Sequence, residues 1–174
     1  MRQNSVSIRP FEAKRVRVES SRSFEDVLLH LQEVVGTAPN SQGSGQEADS
    51  APAREQLDQI THSLGSSDFT RLFVVDWGRL LPLFGIQRKV VRWILGNPQI
   101  AITMIQHDIT AALFAPVELL LVENVSGEGS TVIYDVPSSL TVLDPNPALE
   151  AAARALDGKL QALVSYATGV TMDQ

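Results

Sequence analysis

The segment ILGNPQIAITMIQHD, residues 94–108, contains several side chains that are able to do chemistry. Asn97 is a favoured helix-capping residue and Pro98 a favoured first helical residue, so a strand is predicted to end and a helix to begin at this turn. The free backbone N–H groups at such a helix start suit a carboxylate or a phosphate. His107, a residue type that titrates near neutral pH, and Asp108 follow at the far end of the predicted helix.

Each of these residues also has an ordinary structural explanation, which we favour. The Gly96-Asn97-Pro98 sequence is typical of a strand-to-helix turn. A histidine is favoured in a last helical turn because its protonated form suits the helix C-terminus. Asp108 is a favourable capping residue for the segment that follows it, just before Thr110.

Three further candidates lie on predicted strands. Arg92 lies in the middle of the apolar run KVVRWIL. Its guanidinium is therefore expected either to reach the sheet edge or to lie in a cavity that binds an anion. Tyr134 and Asp135 lie near the end of STVIYDV, where the ring of Tyr134 is predicted to be buried with a hydroxyl that needs a partner.

If the protein has a functional pocket, we expect it where Arg92, Asn97, Tyr134, Asp135 and His107 meet, and we expect it to suit a carboxylate or an enolate. His107 is the weakest member, because it lies about nine residues, or ~13 Å, along the helix from its start. We therefore expect a ligand to contact Arg92, Asn97 and Tyr134 in preference to His107.

Several kinds of site are excluded. The chain has no cysteine, which rules out disulfides, thiol nucleophiles, iron–sulfur clusters and thiolate zinc sites. Its three histidines, His30, His62 and His107, lie in separate predicted elements without metal-ligand spacing. A nucleophile elbow and a glycine-rich phosphate loop are also absent from the sequence. We therefore predict no metal and no cofactor.

Size and charge narrow the class of protein further. A chain of 174 residues suits one domain with a real core. The net charge of −6, the pI near 5.0 and the scattered basic residues argue against a nucleic-acid partner. We find no signal peptide and no apolar run approaching the ~18 residues of a membrane helix. We therefore expect no membrane partner and a cytoplasmic location.

Apolar periodicity predicts the elements of the first half. KRVRVES alternates as a half-buried strand does, and SRSFEDVLLHLQEVVG has helical spacing with Ser23 as its cap. Residues 37–52 have no large apolar side chain and predict a mobile insertion, and residues 1–12 predict a flexible arm. WGRLLPLFG is ambiguous, since glycine and proline interrupt it. A short helix is predicted over residues 53–64, and its buried side chains are Leu57, Ile60 and Leu64.

The second half predicts a hairpin and a long helix. VELLLVENV and STVIYDV flank the short loop Ser126-Gly127-Glu128-Gly129, which is typical of a β-hairpin. Asn146 and Pro147 begin the last helix and Gly169 ends it. The element order predicts an α+β two-layer sandwich, with a mainly antiparallel sheet and helices packed on one face. We expect residues 13–174 to form a single domain.

Several segments together resemble the domain of unknown function 302 family. These segments are RWILGNPQIAITMIQHDITAALFAPVELLLVE, TVIYDVPSSLTVL and the long final helix; DWGRLL adds a weaker match, with Trp77 where members often have histidine. The resemblance covers roughly residues 13–168 and implies a compact α+β domain that is often a dimer. Together with the many apolar strand residues, it leads us to expect a homodimer. Many members carry a cysteine ahead of the Asn-Pro pair, and this chain has Leu95 and Gly96 there, so a thiol or metal role does not carry over.

Two classes of function remain open. The first is an uncharacterised soluble small-molecule-binding or accessory protein, with a pocket between the sheet and the helices and no covalent chemistry. The second is a cofactor-free acid–base enzyme, a lyase, isomerase or cyclase, acting on a small organic or secondary-metabolite substrate. An enzyme requires two or more of the candidate side chains within hydrogen-bond reach around one cavity.

Overall fold

The computed structural model describes residues 5–38 and 53–172. Within these ranges six strands form one sheet in the order β1-β6-β5-β4-β3-β2. The strands are β1 (Arg15–Ser20), β2 (Gly36–Thr37), β3 (Thr70–Asp76), β4 (Val90–Gly96), β5 (Val117–Glu123) and β6 (Ser130–Asp135). The helices are α1 (Phe24–Val34), α2 (Ala53–His62), α3 (Pro98–Ile105), α4 (Pro137–Thr141) and α5 (Pro147–Thr168).

Among the described strands the pairing is mainly antiparallel, and only the short β2–β3 pair is parallel. β4 shows its two faces clearly: Val91, Trp93 and Leu95 are buried, whereas Arg92 and Ile94 on the opposite face are half-buried. The buried face joins the core that α1, α3 and α5 cover. The prediction of an α+β fold is therefore confirmed, and we call the other side of the sheet the open face.

The predicted helix boundaries are set by local hydrogen bonds. The side chains of Ser23, Asn97 and Asn146 accept bonds from backbone N–H groups in the first turns of α1, α3 and α5. Gly169 ends α5 in the left-handed region, at φ 72°, a conformation that favours glycine. The hairpin is also confirmed, since β5 and β6 pair in antiparallel register up to Glu123 and Ser130.

Several local predictions were wrong at their edges. Thr37 belongs to β2 instead of a mobile insertion, because its backbone pairs with Arg71 and needs no apolar side chain for this. Leu57, predicted to be buried, is 41 % exposed and so lies on the outer side of α2, whereas Ile60 in the same helix is half-buried. His107 lies beyond α3, which ends at Ile105.

Other segments differ from the sequence interpretation or add to it. The ambiguous segment WGRLLPLFG forms two short 3-10 helices, Trp77–Arg79 and Leu81–Phe84. Helix α4 was not predicted, since five residues are too few for a periodic pattern. Ala38 of the predicted mobile insertion donates its backbone N–H to the carbonyl of Arg71 at 3.2 Å, next to β2. Residues 39–52 of the insertion lie outside the described residues, as do residues 1–4 of the predicted arm.

Candidate functional site

An apolar cavity of about 160 Å³ lies beside the Gly96-Asn97-Pro98 turn, between the sheet and the helices. Side chains from β3, β4, β5, α2, α3 and α5 surround it, together with residues just before β3 and β5. The main lining residues are Ile60, Phe69, Leu72, Leu95, Ile100, Met104, Val117 and Leu156. This position, between the sheet and the helical layer, is where a pocket was expected for a small-molecule-binding protein.

The turn itself shapes the cavity. β4 ends at Gly96, Asn97 adopts an extended conformation, and Pro98 starts α3. A Cβ on Gly96 would lie only 2.7 Å from the Cδ1 atom of Leu72, so a larger residue here would push the Leu72 side chain out of its place in the cavity wall. α3 then runs beside the sheet and presents Ile100 to the cavity.

Among the described residues that line this cavity, only Asn97 has a polar side chain, and its polar atoms are already bonded to the protein backbone. Its Oδ1 accepts hydrogen bonds from the backbone N–H groups of Gln99, at 2.9 Å, and Ile100, at 3.4 Å. Its Nδ2 donates to the backbone carbonyl of Asp68 at 2.9 Å. The backbone groups that were expected to hold an anion are therefore already bonded, and the cavity suits an apolar guest.

A second concavity, a groove of about 490 Å³, lies on the open face. Arg92 and Asp135 line it with their side chains, whereas Tyr134 borders it only from the strand, since its ring lies on the helix side of the sheet in the core. The structure therefore brings the side chains of Arg92 and Asp135 to one groove and keeps that of Tyr134 apart from them. The remaining lining residues include Arg15, Glu118, Leu113, Phe114, Leu120, Ile133 and Leu140. Asn97 lies at the apolar cavity instead.

The charged groups of this groove neutralise one another. Arg92 Nε donates to Glu118 Oε2 at 2.9 Å. Arg15 holds Asp135 through two hydrogen bonds, with Nε 2.7 Å from Oδ1 and a second guanidinium nitrogen 2.9 Å from Oδ2. Such a paired geometry is favourable for a guanidinium and a carboxylate, and it leaves neither group uncompensated.

The titration of the groove residues follows from these contacts. The hydrogen bond from Arg15 holds the pKa of the Asp135 carboxyl below its usual range. Burial raises the pKa of the Tyr134 hydroxyl, and the nearby charge of Asp157 acts in the same direction. At neutral pH Asp135 is therefore ionised and Tyr134 is protonated, so neither is poised to exchange a proton there.

His107 lines neither concavity. It is exposed, and its closest polar side-chain contact is Gln106, with the two Nε2 atoms 3.5 Å apart. The neighbouring Asp108 accepts hydrogen bonds from the backbone N–H and the hydroxyl of Thr110, and these bonds lower the pKa of its carboxyl. Asp108 thus caps the following segment, as its structural explanation predicted.

Sequence analysis did not identify most of the residues that line the apolar cavity. Phe69, Leu95 and Leu156 are far from one another in the sequence. Each could be predicted as an apolar core residue, but a single sequence does not show that they line the same cavity. The apolar arc of α3, with Ile100 and Met104, was the one usable signal. Among the described residues, no group of three or more potential metal ligands is present and no helix is long and apolar enough to cross a membrane.

Comparisons with known proteins support the fold and the motif resemblance. The model of a family described as "Domain of unknown function DUF302" matches residues 47–166. A crystal structure of an uncharacterised conserved DUF302 protein from Bacillus stearothermophilus has a TM-score of 0.59. Its sequence identity is 17 %, and the match covers 88 % of this chain and 97 % of that one. At this identity the likeness shows a shared fold. A search of curated proteins found no match.

Proposed function

Since the chain belongs to the DUF302 family, which is described without an activity, we propose its function from its own cavity: it binds a small apolar molecule beside the Gly96-Asn97-Pro98 turn and does no covalent chemistry. Apolar cavities of roughly 150 Å³ in proteins stay dry and take up benzene-sized guests. The observation that carries the proposal is a cavity of about 160 Å³ with an apolar wall.

The lining also selects the class of ligand. A charged ligand would lose its hydration without finding a partner, because Asn97 is already bonded within the turn. A neutral aromatic ring or a short branched alkyl group meets Phe69, Leu95 and Met104 without such a cost. We therefore expect a ligand, or the end of a larger ligand, of this kind.

A cofactor-free acid–base enzyme is the weaker alternative. It receives support from the open-face groove, which the side chains of Arg92 and Asp135 line, while the ring of Tyr134 lies on the other face of the sheet. Against it, Arg92 is paired with Glu118, Asp135 is paired with Arg15, and the pKa values of Asp135 and Tyr134 are moved away from neutrality. If the protein acts on a secondary-metabolite substrate, we expect that substrate to bind in this groove.

The decisive experiment is binding of neutral probes to the full chain. Benzene and indole should raise the thermal midpoint and shift the methyl signals of Met104 and Leu95 in NMR spectra, whereas benzoate should do neither. Ala101→Leu, which places a larger side chain in the cavity wall, should abolish both effects. Ala155→Leu, on the exposed side of α5, is the matched control and should bind as the unmodified chain does. Equal binding by the Ala101→Leu variant would refute the proposal.

A further inference from the structure

A crevice of about 540 Å³ lies on the helix side of the sheet, where the edge strand β1 meets α5 and residues 169–172 that follow it. Its apolar walls are Val16, Val18, Val136, Val170 and Met172. Among the described residues, it shares no lining residue with the apolar cavity beside the turn that starts α3. Its volume lies within the range of ~300–1,000 Å³ that is typical of small-molecule sites.

The hydroxyl of Tyr134 borders this crevice without a partner. The ring of Tyr134 lies on the helix side of the sheet, next to Val16 on the neighbouring strand, and the residue is only 7 % exposed. Within the part of the chain that the structure describes, the hydroxyl makes no hydrogen bond, although it is not sealed from the crevice. Buried polar groups normally have such a bond, because leaving it unmade costs free energy. The hydroxyl is therefore available to a molecule in the crevice.

A carboxylate lies close to this hydroxyl and is held in a fixed position. Asp157, on α5, accepts a hydrogen bond at its Oδ1 from the backbone N–H of Ser138, at 2.9 Å, in the first turn of α4. Its second oxygen has no hydrogen-bond or ion-pair partner among the described residues. Burial raises the pKa of the Tyr134 hydroxyl and the charge of Asp157 adds to this effect, so the two groups are near neighbours.

Gln161 supplies a third polar group, one turn further along the same side of α5. Its Nε2 donates to the backbone carbonyl of Met172 at 2.9 Å, and this bond holds residues 170–172 against the helix as one wall of the crevice. Its Oε1 accepts no hydrogen bond from the described residues. The crevice therefore offers three oxygen acceptors, from Tyr134, Asp157 and Gln161.

The charges around the crevice select the class of ligand. Three charged residues border it, Arg17, Glu19 and Asp157. Arg17 Nε donates to Glu19 Oε1 at 3.1 Å, so these two neutralise each other and the negative charge of Asp157 remains. A carboxylate or a phosphate would be repelled by this charge. A protonated amine brings the opposite charge and three N–H donors, which match the three acceptors in number.

We propose that this crevice is a second ligand site, which binds a small primary aliphatic amine in its protonated form. The ammonium group lies between Tyr134, Asp157 and Gln161, and the alkyl chain lies against Val136 and Met172. The hydrogen bond to Asp157 is charge-assisted, and such bonds are the stronger ones. Burial of the alkyl chain against the valine and methionine side chains adds to the affinity. A quaternary ammonium has the same charge but no N–H donor, and it would leave the acceptors unpaired.

A set of probes with the same chain length tests the class of ligand. Titration of the full chain with n-butylamine at neutral pH should shift the NMR methyl signals of Met172 and Val136 until they saturate, and should leave that of Met104 unchanged. Butyrate and n-butanol should produce no such shift. Butyltrimethylammonium should bind about tenfold more weakly, because it cannot donate a hydrogen bond. Absence of a saturable shift with n-butylamine, or equal binding of butyltrimethylammonium or n-butanol, would overturn the proposal.

Three substitutions test the residues. Asp157→Asn keeps an acceptor for the backbone of Ser138 but removes the charge, and it should weaken n-butylamine binding about tenfold. Tyr134→Phe should weaken binding roughly fivefold without lowering the thermal midpoint, since the hydroxyl bonds to no described residue. Glu150→Gln removes the same charge two turns earlier on α5, away from the crevice, and should bind as the unmodified chain does. Equal losses in Asp157→Asn and Glu150→Gln would indicate general attraction to an acidic protein and would contradict a specific site.

Discussion

Truncating Leu95 to alanine should destabilise the protein by about 4 kcal/mol. Leu95 is fully buried at the end of a central strand and lines the apolar cavity. Removing three carbons forfeits about 2.4 kcal/mol of transfer free energy, at ~0.8 kcal/mol per buried carbon. Each ~40 Å³ of void that does not collapse adds about 1 kcal/mol. The neighbouring strands β3 and β5 hold the backbone in place, and one side of Leu95 is already empty, so little collapse is expected.

Urea unfolding followed by circular dichroism measures this loss, and the slope against denaturant should stay unchanged. In a chain of this length about 4 kcal/mol corresponds to a fall of roughly 8–16 °C in the thermal midpoint. Ile102→Ala, on α3 but 55 % exposed, is the matched control and should cost less than ~1 kcal/mol. A loss below ~2 kcal/mol for Leu95→Ala would mean that the walls close readily, and it would refute the reasoning that the cavity is preformed.

Three further outcomes are expected. Asn97→Ala should cost about 1–2 kcal/mol in urea unfolding, because it removes the cap of α3 and the bond to Asp68; Gln99→Ala, exposed in the same turn, should cost far less, and equal losses would contradict the capping role. Asp135→Asn should lower the free energy of unfolding by at most ~1 kcal/mol at neutral pH, since its pair with Arg15 is partly exposed. Because the pKa of Asp135 is depressed in the folded state, its contribution is present above the unfolded-state pKa and is lost on acidification below about pH 5, so the variant should show a flatter acid dependence. Metal analysis of protein purified without chelator should find far less than one zinc, iron or manganese per chain, and a stoichiometric metal that survives dialysis would contradict this expectation.

The fold was predictable where one face of an element is buried. β4 alternates strictly, and Asn97 and Asn146 mark helix starts through bonds that involve only nearby backbone. Such signals are local, so a single sequence contains them. β2 was missed because two residues held by backbone pairing leave no side-chain pattern.

The candidate site was less predictable, because its members meet only through tertiary packing. Arg92 and Tyr134 were chosen as reactive side chains, yet the pairing of Arg92 with Glu118 depends on β4 and β5 lying side by side. Phe69 and Leu156 were individually recognisable as apolar residues. They line one cavity because the sheet and the helices do not fill all the space between them. A local sequence pattern contains no information about such packing.

The pairing of β1 with β6 has a consequence for folding during synthesis. Arg15 pairs with Asp135, 120 residues further along the chain, whereas β3, β4, β5 and β6 pair successively with near neighbours. At translation rates of about 5–20 residues per second, β1 emerges roughly 6–24 s before its partner strand. The central strands can form a meander in the meantime, while loop closure delays the most distant contact. We therefore expect the nascent chain to hold its first strand unpaired until most of the sheet has been synthesised.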